Sequence, residues 1–438
     1  MVSVTRDGGA HWRNVTPASV APYGRIDNID ASPSDAATAF VVVDRHLMGD
    51  DAPHALVTHD YGASWRSISG DLPSDDFVRV VRQDEHDPKI LYAGSEHAVW
   101  VSFDEGHHWQ SLRLNLGTVA IYDMRVQPQA NDLVIATHGR GFFVLDDLNA
   151  IEQLPRAAAE GTAFFAPRNA FNFYDWWRSA YGTHVDECCA VANSFVGENP
   201  DPGAMLTFYQ TKASQPAPSL VVLDAAGQVI AHRSTPNHAG INRFNWDLCD
   251  DPPVSWHGAA AWNQGPSTGV GVVPGTYTAR LTIGGHTIDQ RMTVAPDPRA
   301  PWTQADYDAR RSFLRSLYDE LSQIDAALNT LDLQQRQLAA RLAATTGNAS
   351  APQVTLWQLR LAAARAIDAQ FSSNPRNTED DQLRPDAVRE RLQNLIDVYS
   401  ELSQGPPLAG HLREAAETRA WFDAAMARYR AFMRWHSR

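Results

Sequence analysis

No apolar run in this 438-residue chain reaches the roughly 20 residues that a helical membrane span needs, so no span is expected. Positive charge is scarce. Lys and Arg number 37 against 51 Asp and Glu, the formal net charge is −14, and no basic stripe gathers the cations. A phosphate backbone is held by clustered cations, so nucleic acid is not an expected partner. Cysteine is rarer still: Cys188, Cys189 and Cys249 make up the whole set. No second CxxC and no HxxxH completes a zinc pattern. Three readings of the cysteines stay open: a bridge from Cys188 or Cys189 to Cys249, a metal site with His184, Asp186 and Glu187, or plain thiols. Glycine-rich phosphate loops and local Ser-His-Asp or Cys-His signatures are missing as well. No secretion leader is visible, which decides nothing about compartment. The chain is thus expected to carry no cofactor and no metal.

What is present is one pattern in three copies. They read Thr5-Arg-Asp7-Gly-Gly9-Ala-His-Trp12, Thr58-His-Asp60-Tyr-Gly62-Ala-Ser-Trp65 and Ser102-Phe-Asp104-Glu-Gly106-His-His-Trp109. The shared form, [ST]-x-D-x-G-x-x-W, has a mechanical sense. Glycine supplies the positive φ of a tight turn. The Asp and the hydroxyl accept backbone N–H bonds that lock the turn. The Trp opens the next strand and offers a large surface to bury. The motif therefore reads as a hairpin clasp and not as a reactive group. It also lacks the string of acidic positions that a calcium loop requires.

Asp7, Asp60 and Asp104 stand 53 and 44 residues apart. That interval suits a four-stranded propeller blade of about 40–50 residues. Strand-like runs fill the intervals at 25–31, 38–43, 77–82, 90–94, 98–103, 121–126, 132–137 and 141–145. The third repeat replaces its clasp with His138-Gly-Arg140-Gly141-Phe-Phe. Two complete blades, an atypical third and one outer strand fall short of a closed ring of about 4–8 blades. The expectation is that N-terminal blades of a longer propeller are missing.

The texture changes after Pro155. Residues 160–297 alternate short β-rich runs with Pro, Gly and Asn clusters, a rhythm that predicts an immunoglobulin-like or fibronectin-like β-sandwich. Trp246 reads as core, while Trp176, Trp177, Trp256 and Trp262 read as loop packers. Residues 300–438 are helical. Thr303-Gln-Ala-Asp306 forms a capping box, and Leu317, Leu321, Ile324, Leu328 and Leu331 recur at helical spacing. Further helices are predicted over about 354–371, from near Pro385, and over about 408–436, giving an antiparallel hairpin or bundle. The fold class is mainly β with a helical C-terminal region, in three domains: 1–155, 160–297 and 300–438.

The clasps resemble the Asp-box (BNR) repeats of sialidases, two-propeller xyloglucanases and the sortilin ectodomain. The order of domains is similar to large bacterial sortilin-like or "BNR-repeat glycosyl hydrolase" proteins. Thr137-His-Gly-Arg140-Gly141, Gly197-Glu-Asn-Pro200, Gly240-Ile-Asn-Arg243-Phe-Asn-Trp246, Pro274-Gly275-Thr-Tyr277 and Asp297-Pro298-Arg299 carry that likeness. The resemblance implies an extracellular or periplasmic protein that binds a protein, peptide or glycan without catalysis. Its alternatives are a glycoside hydrolase whose cleft lies mostly in missing blades, and an assembly-factor scaffold. Glycosidic hydrolysis needs two carboxylates at a set separation, and the candidates are Asp75, Asp76, Asp146 and Asp147. The arginine cluster and Tyr–Glu pair of sialidases do not assemble from this sequence.

Overall fold

Short β-branched runs broken by turn residues at close intervals fold as antiparallel meanders, because each strand pairs most cheaply with its sequence neighbour. The computed structural model describes all residues except 21, 173–200, 261–262, 345–349, 374–386, 403–404 and 437–438, and is mostly β-sheet followed by C-terminal helices. Cys188, Cys189, His184, Asp186, Glu187, Trp176, Trp177, Trp262 and the 197–200 stretch lie outside the described residues. Compactness divides the chain into two units. One is Met1–Arg168 with Thr207–Ala213 and His238–Asn242; the other is Asn169–Leu206 with Ser214–Asn237 and Arg243–Arg438.

The first unit begins with the hairpin β1 (Ser3–Val4) and β2 (Arg13–Asn14). Two four-stranded sheets follow, each in sequence order. The first holds β3 (Arg25–Ala31), β4 (Ala39–Asp44), β5 (Ala55–Thr58) and β6 (Arg66–Ser67). The second holds β7 (Val78–Gln83), β8 (Leu91–Ser95), β9 (Val99–Ser102) and β10 (Gln110–Ser111). A third sheet has three strands, β11 (Ile121–Gln127), β12 (Asp132–Thr137) and β13 (Phe142–Leu145). Apolar side chains pack sheet against sheet. Val42, Val57, Val78, Val81 and Leu91 share one core, and Tyr92, Val99, Ile121, Met124 and Leu133 share the next. Each such side chain, fully buried, stabilises by about 1.5–3 kcal/mol. Helices α1 (Asn149–Glu152) and α2 (Leu154–Glu160) and strand β14 (Thr162–Phe164) come after the third sheet.

The second unit joins a sheet to helices. Its strands include β15 (Ala170–Asn172), β17 (Ser219–Leu223), β18 (Val229–Ser234), β20 (Gly275–Ile283) and β21 (His286–Pro296), in the order β15-β21-β20-β17-β18. Between these in sequence lie β16 (Ala204–Gln210) and β19 (Gly240–Trp246). Trp246 is fully buried and meets Tyr277 edge-on at 5.6 Å between ring centroids. The helices are α3 (Gln304–Ala343), α4 (Ala351–Phe371), α5 (Val388–Leu402) and α6 (Ala409–His436). At the start of α3 the Asp306 N–H donates to Thr303 Oγ1 (3.3 Å) and the Thr303 N–H donates to Asp306 Oδ2 (2.8 Å), so two orphan donors satisfy each other's residue. Leu314, Leu317, Leu321, Ile324, Leu328 and Leu331 of α3 form a buried stripe against Phe371, Leu392, Tyr399 and Phe422.

Trp256 belongs to that helical core and not to the packing between sheets. Its indole N–H donates to Asp332 Oδ2 at 2.7 Å, and its backbone N–H donates to Asp325 Oδ2 at 3.1 Å. Asp325 in turn receives Arg389 Nε (2.6 Å) and Nη2 (3.1 Å), both partners being almost wholly buried. Arg389 Nη1 donates to the Asn263 carbonyl at 2.6 Å and to Gln393 Oε1 at 2.8 Å. One ion pair thus ties α3 and α5 to Trp256 and Asn263.

Candidate functional site

The three clasps share one geometry. The first hydroxyl accepts the glycine N–H at 2.9 Å in every copy: Gly9 to Thr5, Gly62 to Thr58 and Gly106 to Ser102. The Asp then accepts the N–H four residues on, at 2.9 Å from His11 to Asp7, 2.8 Å from Ser64 to Asp60 and 2.8 Å from His108 to Asp104. The glycines hold φ of +98°, +78° and +82°, the left-handed region where a side chain is strained. The Ser64 hydroxyl and N–H bring the Asp60 carboxyl down to about 2. Burial opposes the charge on Asp104, yet the His108 N–H and ring and the Ser102 hydroxyl bring it to about 2 as well. The Trp65 and Trp109 indoles donate to Val15 O (2.8 Å) and Ile68 O (2.9 Å) of the preceding hairpin and sheet. Trp12 is exposed, and its indole donates to Gly9 O at 3.1 Å. Every atom of the clasp that forms a bond here serves the turn or its neighbour.

The four candidate carboxylates come as two adjacent pairs, one in the turn before β7 and one directly after β13. Asp75 is exposed. Asp76 is buried and accepts from Ser95 Oγ (2.6 Å) and the His97 N–H (3.1 Å), with His97 Nδ1 at 2.9 Å, which fixes the β8–β9 turn. Asp146 is half-buried. Asp147 adopts φ +56°, donates its N–H to Asp132 Oδ1 at 2.9 Å, and accepts the Asn149 N–H at 3.3 Å ahead of α1. Cys249 lies in the second unit, where burial pushes its thiol up to about 12.

A different set of residues is gathered by the backbone. The first strands of three sheets, β3, β7 and β11, carry a β-bulge at the same register. The pairing skips Asp27 between Ile26 and Asn28, Arg79 between Val78 and Val80, and Tyr122 between Ile121 and Asp123. An unpaired bulge residue re-aims its side chain, and bulges are frequent beside functional sites. These three side chains meet. Arg79 Nη1 lies 3.9 Å from Asp27 Oδ2, and its guanidinium carbon lies 4.4 Å from the Tyr122 ring centroid and 4.7 Å from that of Phe77. Glu96 Oε2 accepts Arg79 Nε at 2.8 Å. Tyr122 stacks on His138 at 4.9 Å and Phe77 on His46 at 4.6 Å. Burial opposes the charge on Asp44, but the His46 N–H and ring, with Arg79, hold its carboxyl below the usual range.

Three positions further along, the equivalent residues are Asp30, Arg82 and Arg125. Arg82 is buried and donates to Met124 O (2.7 Å), Asn28 Oδ1 (2.6 Å), Val81 O (3.0 Å) and Asp123 Oδ1 (2.5 Å). Asp30 Oδ1 accepts Arg125 Nη1 at 3.1 Å. Burial pushes the Asp30 carboxyl up, against the pull of Arg82 and Arg125. This second tier straps the three first strands together. In the bulge tier the Asp27 and Arg79 side chains are 11% exposed, and Tyr122 is 48% exposed.

The bulge tier gathers a guanidinium, a carboxylate and an aromatic ring. Arg79 presents a guanidinium with planar donors. Tyr122 offers a ring face. The sequence reading did not single out Asp27, Arg79 or Tyr122, because their residue types differ from repeat to repeat. Aligning the repeats on the turns that follow each first strand would have put all three in one column. In the second unit, a cavity of about 340 Å³ is lined by Asp250, Arg311, Arg315 and Tyr318, among others, but both arginines already bond the Asp250 carboxylate at 2.8–3.0 Å. Among the described residues, Asp84, His86 and Glu152 bring three metal-ligating atoms within 4.8 Å of one another.

No family model and no curated protein matches the chain. Solved structures similar to it include YCF48 bound to a D1 peptide, at 13% identity and TM-score 0.25, covering 66% of this chain and 74% of that one. The GH74 xyloglucanase from Xanthomonas campestris is similar at 16% identity and TM-score 0.23, covering 60% of this chain and 38% of the enzyme. The GH74 enzyme of Niastella koreensis is similar at 11% identity and TM-score 0.24, covering 61% of this chain and 38% of the enzyme. The chain therefore spans well under half of either GH74 enzyme, and likenesses at these scores assign it no activity.

Proposed function

We propose that the chain is a non-catalytic binding module, and that its bulge tier takes a protein, peptide or glycan ligand. In this reading residues 1–155 are the blades of an Asp-box β-propeller, 160–297 a β-sandwich and 300–438 a helical hairpin or bundle. The clasps at Asp7, Asp60 and Asp104 are structural staples. The protein acts outside the cytoplasm, in the extracellular space or a periplasm.

The observation that carries the reading is the triple bulge. Three sheets spend the same backbone irregularity at the same register, and the side chains so displaced converge on Arg79. Arg79 is held between two ring faces and two carboxylates before any ligand arrives, so little side-chain freedom is lost on binding. A charge-assisted bond to such a group contributes about 1.5–3 kcal/mol.

The test is a screen of the purified chain on peptide and glycan arrays, followed by titration of the hits. Arg79→Ala and Tyr122→Ala should each weaken a true hit at least tenfold while the circular dichroism spectrum is unchanged. Release of reducing sugar from a polysaccharide, abolished by changing one of Asp75, Asp76, Asp146 or Asp147, would replace this reading with a hydrolase.

A further inference from the structure

At the opposite end of β7 from Arg79, the first unit holds a second polar cluster. Asp84 caps the turn after β7: its Oδ1 accepts the N–H groups of His86 (2.8 Å) and Asp87 (3.0 Å), and its Oδ2 accepts the Tyr92 hydroxyl at 2.8 Å. Glu152 ends α1, and its Oε1 lies 3.2 Å from His86 Nδ1. Donor atoms of all three residues fall within 4.8 Å of one another. Asp84 is 1% exposed, and among the described residues the ion pairs of Asp84 and Glu152 include no Lys or Arg; His86 is the only basic partner. Two neighbouring carboxylates, one of them buried, call for a compensating cation.

A separate observation points the same way. Asn131, in the β11–β12 turn, is 93% buried by its 7% exposure, and its Oδ1 has no hydrogen-bond partner. Its Nδ2 donates to Glu152 Oε1 at 2.7 Å and to Asn149 Oδ1 at 3.3 Å, so the carboxamide borders the cluster through its nitrogen, and turning the amide over brings the orphan oxygen to that side. A buried carbonyl oxygen without a donor is unfavourable, and such orphans frequently mark an ion or a bound water.

We infer that Asp84, His86 and Glu152 form a site for a divalent cation of the zinc type, with Asn131 Oδ1 completing the donor set directly or through a bound water. Two ligands on a tetrahedral zinc, each about 2.0–2.1 Å from the metal, stand about 3.3 Å apart. The His86–Glu152 separation already meets that spacing. The imidazole favours zinc and its neighbours in the first transition row over magnesium, and three or four donors are too few for calcium. The His86 side chain is 55% exposed and gives the ion a route in. Bound there, the ion links the turn after β7 to α1, which follows the third sheet. The site is independent of the bulge tier.

The experiment is isothermal titration of the full chain, stripped with a chelator, against Zn2+, Mg2+ and Ca2+, with thermal melts in parallel. Zn2+ should bind at one strong site and raise the melting temperature; Mg2+ and Ca2+ at equal concentration should do neither. His86→Ala, at an exposed position, and Glu152→Gln should each weaken Zn2+ at least tenfold and abolish the thermal shift. Asn131→Asp adds a carboxylate, so its melting temperature should fall without metal and rise more than wild type's with it. Zn2+ affinity unchanged in His86→Ala would overturn the site, as would a wild-type chain that binds no Zn2+.

Discussion

Arg389→Met tests the ion pair that ties the helices of the second unit. The substitution keeps most of the volume and removes the charge, leaving the Asp325 carboxylate 1% exposed with, among the described residues, the Trp256 N–H to meet it. Breaking one side of a buried pair costs about 3–5 kcal/mol, because the stranded charge stays desolvated. For a body of 150–250 residues each kcal/mol shifts the melting temperature by about 2–4 °C, so the helical transition should fall by about 6–20 °C. The loss should depend on pH with a definite sign. Burial already raises the Asp325 carboxyl above its ordinary value of 3.8, and Arg389 is what opposes that rise. Without Arg389 the folded value climbs further, so the native state binds a proton that the unfolded chain releases. Stability then improves as pH falls from neutral toward the unfolded value near 3.8, and the gap to wild type narrows. The double variant Asp325→Leu, Arg389→Met removes both charges and should regain most of the loss. Differential scanning calorimetry at neutral and mildly acid pH reads all three effects. A single variant melting within a degree or so of wild type, or a gap that widens in acid, refutes the account.

Two further outcomes follow from the clasps. Gly106→Ala should cost about 1–3 kcal/mol, because a left-handed backbone is strained with a side chain, and its Cβ would also stand 2.6 Å from that of Ile68. Gly9→Ala meets nothing nearer than 4.0 Å and should cost less, so urea melts of the two variants should separate. The clasp carboxylates Asp60 and Asp104 sit at about 2 against an ordinary 3.8, so their contribution is complete above 3.8 and lost as pH falls toward 2. Fluorescence of Trp65 and Trp109 during acid unfolding should report that loss in this window, and a transition complete above pH 4 would count against it.

The broad architecture was legible because each part has its own period. Alternation over 25–31 and 121–126 gave strands, and the 3–4 spacing from Leu317 to Leu331 gave a long helix whose core face matches that stripe. In the clasp turns backbone chemistry fixes residue type: positive φ selects Gly62 and Gly106, and N–H capping selects Asp60 and Asp104. The bulge tier was not legible. A bulge constrains the backbone and leaves the side chain free, so Asp27, Arg79 and Tyr122 share no chemical likeness. Nor was the place of Trp256, whose loop is held by Asp325 and Arg389, residues 69 and 133 positions later. Such contacts are set by tertiary packing, which local periodicity does not encode. Asp84, His86 and Glu152 stayed apart for the same reason, with 66 residues separating His86 from Glu152.

The triple bulge has a consequence for how this surface can change. Each of the three repeats leaves one residue of its first strand outside the pairing. Exchanging the acid, the guanidinium or the phenol at positions 27, 79 and 122 would change the side chains gathered around Arg79 while every ladder beneath stays in register.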